Sequence, residues 1–208
     1  MDIIIKNLPI LIVITPLMMS LLVAILPNYK ISWLICCITT LLTFCFSIGL
    51  FIELQHVNLI SYHLGSWMPP FGIEYVIDKV SIIPVLIISS IGFLASIFSI
   101  KFMENEISLN LIPKTYCLWL LAIAGLMGLV TTADVFNLFV FLEISSLSSV
   151  ALVAMGNKLN KKALTAAYNY LIIGAIGATF YVIGVGLLYS ITGTLNMGDL
   201  AEKLPKLG

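Results

Sequence analysis

The sequence contains no arginine, and its ten lysines balance ten acidic residues, so charge of either sign accounts for only 10% of the chain. No basic patch of the kind that binds nucleic acid can be built from it. Four cysteines, Cys36, Cys37, Cys45 and Cys117, show no Cys-x-x-Cys spacing, and two histidines, His56 and His63, stand seven apart in one connector. These spacings form no metal site and no haem, flavin or iron–sulfur constellation, so no cofactor is expected. The cysteines read as small apolar residues inside spans.

Long apolar runs are abundant. Apolar residues make up 61% of the chain and mean hydropathy is +1.13. Runs of about 20 residues are the length needed to cross the hydrocarbon of a bilayer. The expected fold is all-α and integral to the cell membrane, one multi-pass domain with spans at 8–26, 31–52, 80–100, 116–132, 135–155 and 166–191. The first run is too long for a signal peptide and holds Pro9 and Pro16, so it reads as a retained helix. Pro27-Asn28-Tyr29-Lys30 reads as a tight turn. Residues 101–114 read as a polar connector, and Thr192–Leu204 as a short interfacial helix stopped by Pro205.

Between the second and third spans, β-leaning runs flank Pro69-Pro70-Phe71-Gly72, which suggests a short hairpin on the membrane surface with Trp67 at headgroup level. Glu74, in that loop, is expected to be solvated. The connectors after spans one, three and five carry Lys30, Lys101, Lys114, Lys158, Lys161 and Lys162, against Lys6, Lys79, Lys203 and Lys206 on the other side. The positive-inside rule then places both termini and the hairpin outside, and Lys158–Lys162 in the cytoplasm.

One carboxylate lies deep in a span. Read as a helix over 135–155, the fifth span has its centre near Ser145, so Glu143 lies only about 3 Å from mid-depth along the axis. An ionisable side chain there costs about 2.5–3.5 kcal/mol if it faces lipid, and is retained where it faces protein, finds a partner or stays protonated. It reads as a station on an ion path; the plainer alternative is a neutral glutamic acid hydrogen-bonded to a serine. Ser146, one turn on, is placed to donate to it or to bond back to its own helix. Phe139, one turn before, is placed to exclude water or simply to pack. Asp134 is placed to N-cap this helix. Small residues at Ala122, Ala124, Gly125 and Gly128 in the fourth span, and at Gly174, Gly177 and Ala178 in the sixth, permit close helix approach.

The stretches Asp134-Val-Phe-Asn-Leu-Phe-Val-Phe-Leu-Glu-Ile-Ser-Ser-Leu, Ala167-Tyr-Asn-Tyr-Leu-Ile-Ile-Gly-Ala-Ile-Gly-Ala-Thr-Phe and Thr192-Gly-Thr-Leu-Asn-Met-Gly-Asp-Leu resemble the antiporter-like membrane subunits of Mrp-type Na+/H+ antiporters and proton-pumping NADH:quinone oxidoreductases. The Leu64–Ile73 loop with Asp78 adds to the likeness, which is greatest to the D subunits of Mrp-type antiporters. The resemblance implies that Glu143 is the family's fifth-helix glutamate, tuned by a lysine on a broken seventh helix. It also implies partners in a multi-subunit membrane complex, with protons and possibly Na+ as transported ions. Family members continue through the seventh helix into a second, inverted copy of the repeat. The sequence stops at Gly208, so the lysine is expected from another segment. Three readings of that stop stand open: a piece of a split protein, the product of a degraded gene, and a subunit completed by another chain. A proton-pumping respiratory subunit and a non-transporting scaffold are the alternatives to an antiporter subunit.

Overall fold

The computed structural model describes residues 2–156 and 162–206, with side chains from Lys6 onward. Lys158 and Lys161 lie outside the described residues. Six long helices carry the chain: α1 (Asp2–Ile25), α2 (Tyr29–Glu53), α3 (Ile82–Glu106), α4 (Ile112–Thr131), α5 (Val135–Met155) and α6 (Lys162–Thr192). All six are long and apolar enough to cross a membrane. A short α7 (Met197–Lys203) follows. Between α2 and α3 the strands β1 (Leu59–His63) and β2 (Glu74–Asp78) pair antiparallel, with Ser61 opposite Val76 and His63 opposite Glu74.

Several helices outrun the apolar stretches that announced them. α3 continues to Glu106 instead of ending at Ile100, and α6 begins at Lys162 instead of Ala166. Hydropathy marks the thickness of hydrocarbon, whereas Lys, Glu, Met and Phe all continue a helix at little cost beyond it. Most of the expected 101–114 connector is therefore helical, with a break only around Ile107–Leu111. α1 runs through both Pro9 and Pro16. Asn28 caps α2, its side chain accepting from Lys30 N at 3.0 Å.

α4 is the axis of the bundle. It packs on α1, α2, α3 and α5, while α6 touches the rest chiefly through α5. The close approach of α4 to α5 rests on two glycines. A β-carbon on Gly125 would come within 2.7 Å of the Ser145 backbone nitrogen, and one on Gly128 would run into the Phe141 ring. Any side chain at either place would push α5 away, so the absent side chains set the α4–α5 distance.

Buried hydroxyls face the bundle from α2. Thr39, Thr40, Thr43 and Ser47 each donate to the carbonyl four residues back, at 2.7–2.9 Å. Polar side chains are thus buried without an unmet donor. Ser96 of α3 gathers more distant partners: its carbonyl accepts Trp33 Nε1 at 2.9 Å and its hydroxyl accepts Trp119 Nε1 at 3.0 Å. Among the cysteines, Cys36 is buried, Cys37 and Cys117 are half-buried, and Cys45 is exposed; all are free thiols.

Candidate functional site

The hairpin, the α4–α5 connector and the α6–α7 connector meet on one face of the bundle. Tyr75 pairs with Thr132, and Asp134 with Asn196, as single β-bridges. Ala133 N donates to Glu74 O at 2.9 Å, Val135 N to Leu195 O at 2.9 Å, and Met197 N to Ala133 O at 2.8 Å. These bonds satisfy backbone groups that a helix start leaves open. They also fix where α5 begins. Asp134 caps it, Oδ1 accepting Asn137 N at 2.7 Å, and Asn137 Nδ2 donates to Thr132 Oγ1 at 3.0 Å. Beneath the connector Tyr75 is buried and packs at 6.3 Å against the Phe141 ring. Burial pushes its phenol up to about 12, offset in part by a hydrogen bond with Asn137, so it is neutral at working pH.

Along α5 the side chains divide into three rows. At about 100° per residue, Phe141, Ser145 and Ser148 share one side, and Phe139 and Ser146 share nearly the opposite one. The first row is buried against α4. The second meets α6: the Phe139 ring stacks on Tyr181 at 6.4 Å and 7°, and the Tyr181 hydroxyl donates to Val135 O at 3.0 Å. Ser146 sits over Gly174, where a β-carbon would stand 3.2 Å from its hydroxyl oxygen. The third row, Phe136, Val140 and Leu147, is 47%, 38% and 50% exposed.

Glu143 projects between the second and third rows. It is half-buried rather than enclosed, and among the described residues its carboxylate has no hydrogen bond or ion pair. The buried carboxylate among the described residues is Asp134, at 7% exposure. Ser146 donates neither to Glu143 nor to its own helix among those residues. Phe139, Glu143 and Ser146 thus lie along one edge of α5, with Gly174 opposite Ser146. Gly177 faces away, with nothing within 4 Å of a β-carbon placed there.

Glu74 differs from expectation. Its side chain is only 17% exposed, with Oε1 accepting the Ser61 hydroxyl at 2.5 Å and Oε2 accepting Asn196 Nδ2 at 3.0 Å. A partner 122 positions away in sequence leaves no local signal, which is why composition made this residue look solvated.

Six apolar helices with a carboxyl group set within one of them define a multi-pass membrane protein. Residues 132–207 match the family described as "NADH:quinone oxidoreductase/Mrp antiporter, TM", and residues 67–111 match "NADH-Ubiquinone oxidoreductase (complex I), chain 5 N-terminus". Together the two matches take in more than half of the chain, which belongs to this family of antiporter-like membrane subunits.

It is 44% identical over 146 residues to the N subunit of an NADH-quinone oxidoreductase from Desulforudis audaxviator, covering 70% of this chain and 28% of that protein. To the D subunit of a Na(+)/H(+) antiporter from Alkalihalophilus pseudofirmus it is 33% identical over 161 residues, covering 77% and 32%. Among solved structures, a chain of the membrane-bound sulfane sulfur reductase, an archaeal respiratory membrane complex, superposes with TM-score 0.83 at 32% identity, over 94% of this chain and 40% of that one. A chain of the Mrp complex from a Dietzia species shares the fold with TM-score 0.81 at 22% identity, over 93% and 36%. The chain thus spans less than half the length of each of these relatives.

Proposed function

We propose that this chain is part of a proton- or cation-translocating subunit of a multi-subunit Na+/H+ antiporter, with Glu143 as its protonatable station. The observation that carries the reading is the position of Glu143. It lies near mid-span, has no partner among the described residues, and borders an apolar row that stays 38–50% exposed. An intramembrane carboxylate left in this way is a place for a partner cation or a proton. A lysine brought by another segment would pair with the carboxylate, and a proton would neutralise it when the two part. Alternation between the paired and the protonated state is what a station on a proton path does. Ser146 and Phe139 line the same edge, the first as a hydrogen-bonding neighbour and the second as a barrier to water. The hairpin face is external in this reading, the lysine-rich face is cytoplasmic, and other membrane subunits complete the assembly.

The 44% identity to a quinone oxidoreductase subunit supports a second reading, in which redox chemistry in other subunits drives proton movement through the same glutamate. Na+ dependence separates the two.

The test is Na+-dependent proton flux in vesicles carrying the assembled complex. Glu143→Gln keeps the shape and removes the titration, so flux falls by at least about tenfold while the subunits still co-purify. Glu143→Asp, one methylene shorter, is intermediate. Exposed Glu104 is the control, and Glu104→Gln leaves flux unchanged. Wild-type flux in Glu143→Gln would leave a scaffold role in its place.

A further inference from the structure

The hairpin face holds a carboxylate that the ion path does not use. Glu74 joins three separate parts of the chain. Oε1 accepts Ser61 Oγ and lies 3.6 Å from His63 Nε2, both on β1. Oε2 accepts Asn196 Nδ2 at 3.0 Å. Asn196 in turn caps α7, its Oδ1 accepting Asp199 N at 3.1 Å. Glu74 thus adds a side-chain tie to the capping residue of α7, beside the backbone bonds with Ala133 and Val135 that place the connector.

His63 stands where it can bias that carboxylate. Its Nε2 is 3.2 Å from Ser61 Oγ and 3.6 Å from Glu74 Oε1, so hydroxyl and carboxylate compete for one ring nitrogen. A neutral imidazole has one N–H to give, whereas a charged one donates from both nitrogens and adds attraction for Oε1. Its side chain is 37% exposed and borders a polar cavity of about 490 Å³ with Lys6, Asn7, Ser61 and Tyr62, which lets protons exchange with the aqueous phase.

Other charged groups stand near this cluster, and Glu53 of α2 shares a neighbouring cavity with Lys6 and Ser61. Lys6 also lines the cavity beside His63 from α1. Asp199 and Lys203 of α7 pair with each other at 2.9 Å, and Lys203 Nζ donates to Thr192 O at 3.3 Å. Asp134, on the α4–α5 connector, is turned to Asn137 N.

We propose that His63, Glu74 and Asn196 form a proton-sensitive latch between the hairpin and α7. Charging His63 draws Oε1 onto β1, holds the carboxylate in the orientation that presents Oε2 to Asn196, and steadies the start of α7. Loss of that proton as pH rises loosens the cap. The latch acts on the segment leading out of α6, so its state is set by pH on the hairpin face alone. It stands independently of what Glu143 carries.

Hydrogen exchange of the 196–203 backbone tests this in the full chain within its membrane complex, in nanodiscs, at about pH 5.5 and about pH 8, after correction for intrinsic exchange. Protection in the wild type is higher at the lower pH, by roughly twofold to fivefold, the range that a partly exposed ion pair supports. His63→Gln keeps a hydrogen-bond donor and removes the titration, so the difference between the two pH values disappears. Glu74→Gln also removes it and lowers protection at both. An unchanged pH difference in His63→Gln, or none in the wild type, overturns the proposal. The readout needs no ion flux, so its failure is distinct from a failure of the Glu143 reading.

Discussion

Gly174 lies directly beneath Ser146: a β-carbon there would stand 3.2 Å from the serine hydroxyl oxygen. Three residues on, Gly177 faces open space. Two glycines of similar appearance in sequence therefore have different meanings, and the difference is measurable.

Gly125→Ala forces α5 off α4 and destabilises the chain by about 1–3 kcal/mol, the usual cost of overpacking. Gly177→Ala meets no atom among the described residues and gains up to about 1 kcal/mol in helix propensity. Thermal unfolding in detergent ranks them in that order. Equal stability of Gly125→Ala and wild type would mean that α4 and α5 are not in contact there.

Tyr181→Phe keeps the ring on Phe139 and removes the hydrogen bond to Val135 O. The expected loss is about 1 kcal/mol. Tyr181→Leu also removes the stacking and costs more. The same unfolding measurement distinguishes a polar clasp from a purely aromatic one.

Asp134→Ala removes the cap of α5 and is expected to cost about 0.5–2 kcal/mol, whereas Asp134→Asn still accepts from Asn137 N and costs less. Hydrogen exchange in the first turn of α5 reads the difference, since an uncapped turn frays first.

The corner between β2 and α3 has its own pH signature. Asp78 Oδ1 accepts Ser81 N at 2.7 Å and Val80 N at 3.1 Å, and the Ser81 hydroxyl accepts Asp78 N at 2.8 Å. The Ser81 N–H, first among these causes, holds the carboxyl below its ordinary value of 3.8. A depressed carboxylate contributes stability that is complete above the unfolded value and is lost as pH falls through the folded one. The corner is therefore flat from about pH 5 to 8 and weakens only below about pH 4. Exchange at Ser81 followed from about pH 6 to about pH 2.5 shows this, and Asp78→Asn abolishes the acid step.

The six spans and the hairpin were legible because each depends on local chemistry: apolar length for the helices, and β-leaning runs around a proline turn for the strands. The facing of α5 and α6 was not legible. Both are apolar nearly all round, so no stripe marks the packed side. The small-residue pattern Gly174, Gly177, Ala178 suggested a shared face; in the fold Gly174 and Ala178 turn inward and Gly177 does not. Glu143 could be placed in depth from counting alone, but its half-buried setting depends on helix rotation, which counting does not give. Glu74 was misread for a third reason. Its partners Ser61 and Asn196 come from strand pairing and from a connector at the far end of the chain, and neither leaves a mark near position 74.

The Ser96 junction divides the light emission of the chain. Two of its three tryptophans, Trp33 and Trp119, point their indole nitrogens at this one serine from α2 and α4, while Trp67 stands 70% exposed beside the hairpin turn. Ultraviolet excitation therefore addresses two populations, a half-buried pair within the bundle and a solitary outer ring. A water-borne quencher such as iodide, kept to one side of sealed vesicles, darkens the outer ring only when it is on the hairpin side. The natural fluorophores of the chain thus carry a readout of its orientation in the bilayer, with no label attached.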